Sequence, residues 1–376
     1  MFLLVVPVYQ VRADEVALAP NAKSAIMIEA STGTILFEKN AHEKLAPASM
    51  TKMMSMLLIV ESIDKGMIKW DDMVTVSENA SGMGGSQILL ETNEQMSVKD
   101  LFKGIAVASG NDAVVAMAEK IAGTEDNFVS MMNKRAKELG LKNTNFKNPH
   151  GLEEANHYSS AYDMSVIAKE LVKHEEILEY TSIYEDYLRK GTNRELWLVN
   201  TNKLVRFYKG VDGLKTGYTK EAGYCLTATA KKDGMRIITV VMGEEDSKIR
   251  QKETTEMLDY AFSQYEVENL LSTKSELGKV EIEKGKSKYI TVVPSENVSL
   301  LHKKTEEKKT ATYELHLGKI KAPIKKGDVV GSLDIKEDSN VIRKISVTVN
   351  EDIKKANFID LYLRYLKDIL SGEIAF

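Results

Sequence analysis

A serine and a lysine three residues apart, Ser49 and Lys52, stand at the start of an apolar stretch. Residues with this spacing share one face of a helix, so we expect the hydroxyl and the amine to be neighbours. The stretch that follows is so apolar that we expect the helix to run through a core, to about Ile63. Burial disfavours a charged amine, and a neutral amine can accept the proton of a serine nucleophile. On its own, however, the spacing is common and more often marks the start of an ordinary surface helix.

Two further motifs with reactive side chains follow in the chain. Ser109-Gly110-Asn111 falls in a tight turn between two predicted helices, and Lys215-Thr216-Gly217 lies at the front of a predicted sheet. Ser-x-x-Lys, Ser-x-Asn and Lys-Thr-Gly in this order form a set that serine acyl-transfer enzymes use. All three in order, each in a fitting context, arise by chance far less often than any one alone. The sequence therefore indicates acyl transfer with Ser49 as the nucleophile.

The elements around these motifs predict an α/β (α+β) fold. Lys23 to Lys39 predicts one hairpin, and the apolar runs 223–230 and 236–242 predict a second. Helices are expected between them, one of which opens at a capping box that begins with Ser97. The result is an antiparallel sheet flanked by helices. The glycine-rich segment 80–86 either brings its backbone close to a ligand or is a plain flexible connection.

Length and pattern indicate more than one domain. The 376 residues exceed what one core usually holds. After Glu268 the pattern changes to short strands with alternating apolar residues and charged turns. We therefore expect a signal peptide or its remnant at 1–13, a catalytic domain at 14–267, a small all-β domain at 268–349 and an amphipathic helix at 350–376.

Composition excludes some classes of function. A net charge of −4, with acidic and basic residues interspersed, gives no support for nucleic-acid binding. The six histidines and the single cysteine show no metal-ligand spacing, so no metal or other cofactor is expected. Cys225 lies in an apolar strand, which predicts buried packing rather than catalysis.

Both ends of the chain suggest export to a membrane surface. The apolar run 2–9, followed by Val11-Arg12-Ala13, fits a signal peptide with a small-x-small cleavage site, although the usual basic region is missing. The alternative is an N-terminal strand. A helix predicted from about Glu351 to Leu370 carries a wide apolar arc with aromatics and lysines, which suits a membrane interface. Its alternative is packing on the β domain, and Asp360 and Asp368 dilute its basic character.

The chain resembles the low-molecular-mass penicillin-binding proteins, the serine D-alanyl-D-alanine carboxypeptidases. The resemblance rests on the runs 46–54, 105–113, 157–164 and 213–219 and extends from about Lys23 to the C-terminus. It is nearest to the forms found in endospore-forming Gram-positive bacteria. It implies the penicillin-binding and β-lactamase-like transpeptidase fold, a β-rich second domain and a terminal amphipathic helix. It also implies a position at the outer face of the cytoplasmic membrane.

The same resemblance implies a role for each catalytic residue. Ser49 attacks the carbonyl between the two D-alanines that end a peptidoglycan stem peptide, and Lys52 accepts the serine proton. Ser109 relays a proton toward the leaving D-alanine nitrogen. Asn111 holds the substrate amide and Lys52. The product is a shortened stem peptide, released from an acyl-Ser49 intermediate.

Substrate binding is implied for a second group of residues. Lys215 and Thr216 bind the terminal carboxylate, and Gly217 lets the sheet edge approach the peptide. The backbone N–H groups of Ser49 and Tyr218 form the oxyanion hole. Arg250 resembles a family arginine near the carboxylate pocket, with an ordinary surface arginine as the alternative. β-Lactams are expected as inhibitors, because penicillin mimics D-alanyl-D-alanine and leaves a slowly hydrolysed acyl-Ser49.

Several rival functions share part of this pattern. Class A β-lactamases need a Glu-x-x-Leu-Asn segment between the second and third motifs, and none is present. A muropeptide endopeptidase shares all three motifs, and only substrate assays separate it. A non-catalytic peptidoglycan-binding scaffold has no use for an activated Ser49. His150 is expected to shape its polar loop rather than to titrate in catalysis.

Overall fold

The computed structural model describes residues 17–307, 310–337 and 339–370. The segment 1–13, predicted to be a signal peptide, lies outside the described residues. Contacts divide the chain into an N-terminal unit that ends at Ser263 and a C-terminal unit that begins at Gln264. The predicted domain ranges put this boundary a few residues later.

The secondary structure of the N-terminal unit contains nine strands and nine helices among the described residues. In chain order they are β1 (Ser24–Glu29), β2 (Ile35–Lys39), α1 (Lys52–Asp64), β3 (Met73–Thr75), α2 (Glu78–Ser81), β4 (Gln95–Ser97), α3 (Val98–Ala108), α4 (Asn111–Ala122), α5 (Glu125–Glu138), α6 (Ala161–Leu171), α7 (Ile177–Thr181), β5 (Glu185–Leu188), β6 (Leu196–Val199), α8 (Leu204–Phe207), β7 (Val211–Thr219), β8 (Gly223–Lys232), β9 (Met235–Glu244) and α9 (Ser247–Gln264, whose last residue begins the next unit).

The main sheet of this unit is antiparallel, with strand order β2-β1-β9-β8-β7. Strand β1 is buried along its whole length, as its apolar sequence predicts, and β7 forms one edge. The sequence predicted Lys215-Thr216-Gly217 to precede the strands, whereas these residues lie within β7 itself. Glycine and charged residues are poor strand formers, and pairing with β8 overrides that preference. The antiparallel sheet with flanking helices is therefore confirmed.

Helix α1 runs through the core of the N-terminal unit. Its residues from Lys52 to Val60 are all buried, and the helix contacts α3, α4, α5 and α6. A helix that is apolar on all sides requires neighbours on all sides, so this placement follows from its sequence. A single 3₁₀ turn, Ala48–Thr51, precedes it and carries Ser49.

The C-terminal unit is built of strands and one helix in its described part. They are β10 (Tyr265–Leu271), β11 (Gly278–Glu281), β12 (Tyr289–Pro294), β13 (Val298–Lys303), β14 (Ala311–Leu317), β15 (Val329–Glu337), β16 (Asn340–Val349) and α10 (Phe358–Leu370). Strands β11, β12, β16, β15 and β14 form one sheet, and β10 pairs with β13. The all-β domain is confirmed. Strand β10 was not predicted, and it begins before residue 268, where the all-β domain was predicted to start.

Helix α10 begins at Phe358 rather than near Glu351. Asn357 and Asp360 form a capping box, in which each side chain accepts a hydrogen bond from the other residue's backbone N–H. The preceding residues Ile353 and Ala356 are buried, and Ile353 forms a bridge with Ile324. They were wrongly assigned to the helix because their spacing continues its apolar stripe. Within the part of the chain that the structure describes, no helix is long and apolar enough to cross a membrane.

Candidate active site

Ser49 and Lys52 meet as their spacing predicts. The Lys52 Nζ lies 3.1 Å from the Ser49 Oγ, and it donates to the Asn111 Oδ1 at 2.6 Å and to the His150 carbonyl oxygen at 2.7 Å. Ser49 is only partly buried, whereas Lys52 has no exposed surface. A neutral amine has two N–H groups and one lone pair, so two carbonyl acceptors leave the lone pair for the serine hydroxyl. The geometry thus suits a serine activated by a neutral lysine.

Electrostatics favour the neutral form of Lys52. Burial lowers the pKa of the Lys52 amine well below its ordinary value, and the positive charge of Lys215 lowers it further. The carboxylate of Asp112 acts in the opposite direction. Asp112 is itself engaged, because its oxygens accept hydrogen bonds from the backbone N–H groups of Ile88 and Leu90. The largest cause is therefore burial in the core, which the apolar sequence of α1 provides.

The second motif lies in the turn between α3 and α4. Ser109 ends α3 in the left-handed conformation, with φ of 63°, and Asn111 is the first residue of α4. The Ser109 hydroxyl is buried and has no hydrogen-bond partner among the described residues. Because Asn111 Oδ1 is bonded to Lys52, Ser109 is held within two residues of the catalytic amine. A buried hydroxyl without a partner is available to a reacting group.

The glycine-rich loop orients Asn111. The Asn111 Nδ2 donates to the Gly84 carbonyl at 2.7 Å, and the Asn111 backbone N–H donates to the Ser86 carbonyl at 2.7 Å. A Cβ on Gly85, whose φ is +79°, would lie 2.8 Å from the Asn111 Nδ2. The loop is therefore not a plain connection: its backbone supports a predicted catalytic side chain, and glycine permits the approach.

The polar loop 148–157 supplies the other half of the support for Lys52. Besides the His150 carbonyl that binds Lys52, the Pro149 carbonyl accepts a hydrogen bond from the Ser55 hydroxyl at 2.7 Å. A Cβ on Gly151, at φ +89°, would lie 1.9 Å from the Ala48 carbonyl oxygen. The His150 ring lies 3.3 Å from a Glu125 carboxylate oxygen, and this hydrogen bond lowers the pKa of Glu125. His150 thus shapes the loop, as the sequence predicted.

A second histidine fastens the same loop. The His157 Nδ1 accepts the Lys147 backbone N–H at 3.1 Å, so its Nε2 carries the proton and donates to the Thr51 hydroxyl at 2.8 Å. Burial lowers the pKa of His157 to about 4, which keeps the ring neutral near pH 7. This contact joins the loop to the 3₁₀ turn that carries Ser49. No sequence signal identified it beyond the resemblance of the run 157–164.

Strand β7 carries the third motif past the nucleophile. A Cβ on Gly217 would lie 2.8 Å from the Pro47 carbonyl oxygen and 3.3 Å from the Met50 nitrogen. Only glycine therefore allows β7 to lie against the Ser49 turn. Gly217 therefore approaches the protein's own backbone. The resemblance implied a different role for it, an approach to the substrate peptide. Tyr218 follows Gly217 directly in β7.

The buried side chains of Lys215 and Thr216 on β7 form what we name the cationic floor. The Lys215 Nζ donates to the Thr216 carbonyl at 3.1 Å, and the Thr216 hydroxyl donates to Thr201 Oγ1 at 2.7 Å. Burial, and secondarily the charge of Arg250, lowers the pKa of Lys215 to about 7. An approaching carboxylate favours the charged form of such an amine, so this floor is suited to an anionic group.

Arg250 lies beneath this floor on α9. It is buried, its Nη1 donates to the Cys225 carbonyl at 3.3 Å, and its guanidinium is 5.8 Å from the Tyr224 ring centroid. The alternative of an ordinary surface arginine is therefore wrong. The Tyr224 ring in turn lies 4.3 Å from the ring of Tyr218, which is 54% exposed. Cys225 is buried, as predicted, and burial raises the pKa of its thiol to about 11.

The nine predicted site residues come together at one place. Hydrogen-bond distances connect Lys52 to Ser49 and to Asn111. Ser109 lies in the turn just before Asn111. Thr216 and Tyr218 flank Gly217, which lies against the Ser49 turn. Lys215 and Arg250 are near enough for their charges to lower neighbouring pKa values. In the described residues no group of three or more His, Cys, Asp or Glu side chains could hold a metal ion. The chemistry available is acyl transfer to a serine hydroxyl with buried cationic side chains nearby.

Comparison with known families gives two matches along the chain. Residues 10–246 match the family described as D-alanyl-D-alanine carboxypeptidase, peptidase S11. Residues 265–355 match the family described as the C-terminal domain of penicillin-binding protein 5.

Individual relatives cover most of the chain. It is 55% identical to the D-alanyl-D-alanine carboxypeptidase DacF of Bacillus subtilis over 93% of this chain and 90% of that protein. It is 35% identical to DacA of Escherichia coli over 92% of this chain and 87% of that protein. The crystal structure of penicillin binding protein 5 from Haemophilus influenzae is similar with a TM-score of 0.70 and 33% identity, covering 89% of this chain and 98% of that one.

Proposed function

The chain belongs to the D-alanyl-D-alanine carboxypeptidase family of serine peptidases, S11, and from this premise we propose how its own residues perform the reaction. It is a serine carboxypeptidase of the penicillin-binding protein type. The observation that carries the residue assignment is the buried Lys52 amine, 3.1 Å from Ser49 Oγ, with both of its N–H groups accepted by carbonyl oxygens.

Acylation begins with the attack of Ser49 Oγ on the carbonyl carbon between the two terminal D-alanines. The serine proton passes to the lone pair of Lys52, and the carbonyl oxygen becomes an oxyanion. Backbone N–H groups of Ser49 and Tyr218 stabilise that charge, because β7 lies against the Ser49 turn. Burial of Lys52 contributes twice: it keeps the amine neutral, and it removes water that would weaken the hydrogen bonds.

Collapse of the intermediate breaks the bond between carbonyl carbon and nitrogen. The leaving D-alanine nitrogen takes the proton that Lys52 accepted, by way of the buried Ser109 hydroxyl. The remaining peptide is an ester of Ser49. Water then attacks this ester with Lys52 again as the base, which frees the serine and the shortened peptide.

Recognition of the substrate depends on its terminal carboxylate. Lys215 and Thr216 contact it, and Arg250 adds positive charge from below. A β-lactam carries a carboxylate and an acylating carbonyl at comparable places, so penicillins acylate Ser49. A peptide without the free carboxylate would leave Lys215 and Thr216 without that partner, so we expect it to react slowly.

We also propose that the protein works outside the cytoplasm and is held at the membrane surface by α10. Six apolar side chains of this helix are exposed, with Phe358 at 82%: Phe358, Ile359, Tyr362, Leu363, Leu366 and Ile369. In the described part of the chain, the hydrogen bonds and the ion pair that join the helix to the rest of the β-rich unit come from two polar residues. The Arg364 guanidinium donates to the carbonyls of Gly285 and Lys286, and Asp368 pairs with Lys288 at 3.0 Å. Polar groups inward and apolar groups outward suit a helix whose outer face enters a lipid interface.

Labelling with a fluorescent penicillin tests the assignment. The wild type should be labelled covalently and Ser49→Ala should not, while Ser130→Ala, which replaces an exposed serine on α5, should label as the wild type does. Label on the Ser49→Ala protein would overturn the mechanism. Release of free D-alanine from a pentapeptide separates the carboxypeptidase from the muropeptide endopeptidase, which would instead cut cross-linked dimers.

A further inference from the structure

Eight lysines from three separate segments converge at one end of the β-rich unit. The segments 283–286, 319–328 and 351–356 are joined by backbone bridges between Glu283 and Lys321, Gly285 and Lys355, and Ile324 and Ile353. We name their lysines the lysine collar: Lys284, Lys286, Lys319, Lys321, Lys325, Lys326, Lys354 and Lys355. None of these segments forms a long strand or helix, so the bridges determine which side chains are neighbours.

The collar is exposed and its charge is not neutralised. All eight lysines are exposed, and none forms an ion pair within the described residues. The same segments hold four carboxylates, Glu283, Asp328, Glu351 and Asp352. Asp328 and Asp352 accept hydrogen bonds from the backbone N–H groups of Lys325 and Lys326, respectively. Elsewhere in this unit lysines do find partners, as Lys344 does with Asp334 and Lys288 with Asp368.

The position of the collar gives this charge a use. Helix α10 begins three residues after Lys355, and Arg364 fixes it to the backbone of Gly285 and Lys286. The exposed apolar face of α10 and the collar therefore border one another within the same unit. Like charges so close repel each other, and the arrangement is favourable only where anions approach it. A surface that pairs exposed apolar side chains with a dense group of lysines is complementary to an anionic lipid interface.

We propose that the lysine collar binds the phosphate groups of anionic lipids while the apolar face of α10 enters the acyl region. This inference rests on the proposed membrane association, and it assigns the β-rich unit a direct part in that association. A single weak insertion gives reversible binding, and a second, electrostatic contact makes the attachment stable. The occupant is a membrane rather than a soluble polyanion, because only a membrane satisfies the apolar face and the collar together.

Vesicle binding of the full chain tests the proposal. Vesicles of phosphatidylcholine alone are compared with vesicles containing about one third phosphatidylglycerol, a composition that supplies the surface charge. The variant replaces Lys319, Lys321, Lys325 and Lys326 by glutamine. A matched control replaces four exposed lysines of the N-terminal unit by glutamine, Lys134, Lys137, Lys142 and Lys147. Each lysine near a charged surface is worth about fivefold in binding, so the loss of four lysines should weaken binding to anionic vesicles by on the order of several hundredfold.

The expected outcome is specific to the collar. Its variant should lose most of the preference for anionic over neutral vesicles, should acylate with penicillin at the wild-type rate, and should differ from the control, which binds normally. Wild-type binding by the collar variant, or an equal loss in the control, would overturn the proposal. Soluble polyphosphate that binds the wild type as tightly as anionic vesicles do would also overturn it. Deletion of residues after Ala356 separates the two ideas: unchanged vesicle binding would reject the helix anchor itself.

Discussion

Lysine has opposite functions in the two units of this protein. In the N-terminal unit Lys52 and Lys215 are buried, and burial lowers the pKa of each. In the C-terminal unit the eight lysines of the collar are exposed and carry their charge at a surface. In the first arrangement, exclusion of water favours a neutral amine that can act as a base. In the second, exposed amines remain accessible and can attract anionic groups.

The difference lies in what surrounds each amine rather than in the residue. Lys52 is fixed by two carbonyl oxygens that come from distant segments, and its place in the core is set by α1. A collar lysine needs only proximity to other lysines, and bridges between irregular segments provide it. Catalysis therefore depends on the exact position of one lysine and on its hydrogen-bond distances. Attraction to an anionic surface depends on the number of lysines and tolerates the loss of one of them.

The largest predicted effect follows from removing the buried base. Lys52→Met retains the apolar volume but has no lone pair for the serine proton, so acylation by penicillin should slow by about 10²- to 10⁴-fold. Lys321→Gln in the collar also removes a lysine amine, but an exposed one, and should leave the acylation rate unchanged. Stopped labelling reactions measure both rates. A slow Lys321→Gln enzyme would remove the contrast between the two units.

A slightly smaller effect is expected from displacing the support of Lys52. Gly151→Ala places a Cβ 1.9 Å from the Ala48 carbonyl, so either the loop that carries the His150 carbonyl or the Ser49 turn must move. Misplacement of this kind reduces rates by about a hundredfold. Gly140→Ala is the matched control, because Gly140 also has positive φ, +73°, but a Cβ there meets nothing within 4 Å. Equal acylation rates in the two variants would show that the contact does not matter.

The pH dependence of the two functions should differ. The pKa of Lys52 is lowered, so the amine is neutral above that pKa and gains a proton as the pH falls through it. Acylation should therefore decline on acidification, to an extent that Lys52→Met does not share. Vesicle binding does not pass through Lys52, so it should not follow this decline. The same acidic decline in Lys52→Met as in the wild type would contradict the assignment of Lys52 as the base.

The smallest effect concerns salt. Raising the ionic strength from about 0.1 M to 0.5 M shortens the screening length, which weakens charges at a surface more than charges in a core. Vesicle binding should fall several-fold, whereas acylation by penicillin should change little. Co-sedimentation and labelling at each salt concentration make the comparison. Vesicle binding that does not respond to salt would mean that α10 alone carries the attachment.

The sequence predicts much of the chemistry because the reactive residues are named by short local patterns. The helical spacing of Ser49 and Lys52 is enough to predict their contact. The apolar run that follows them predicts the burial of the Lys52 amine. The strands and the edge position of the third motif follow less directly, since β7 contains residues that disfavour strands. Arg250 was left open, and only its burial against Cys225 excluded a surface role.

What the sequence does not reveal are contacts made by backbone atoms across long separations. The His150 carbonyl meets Lys52 across 98 positions, and any residue type provides a carbonyl oxygen. Gly84 supports Asn111 in the same way. For α10 the apolar stripe was recognised, but a stripe does not say which face meets the protein. The Asn357 and Asp360 capping pair is the sequence feature that marks the true start of that helix.

The protonation state of Lys52 in the free enzyme is the most direct test of this account. Labelling of lysine side chains with ¹⁵N and ¹³C, with Lys52→Arg to assign the signal, allows the Nζ resonance to be followed with pH by NMR. We predict a neutral amine at pH 7, because burial and Lys215 both lower its pKa. A Lys52 signal that remains an ammonium until it titrates near the ordinary lysine value of 10.5 would contradict the central claim.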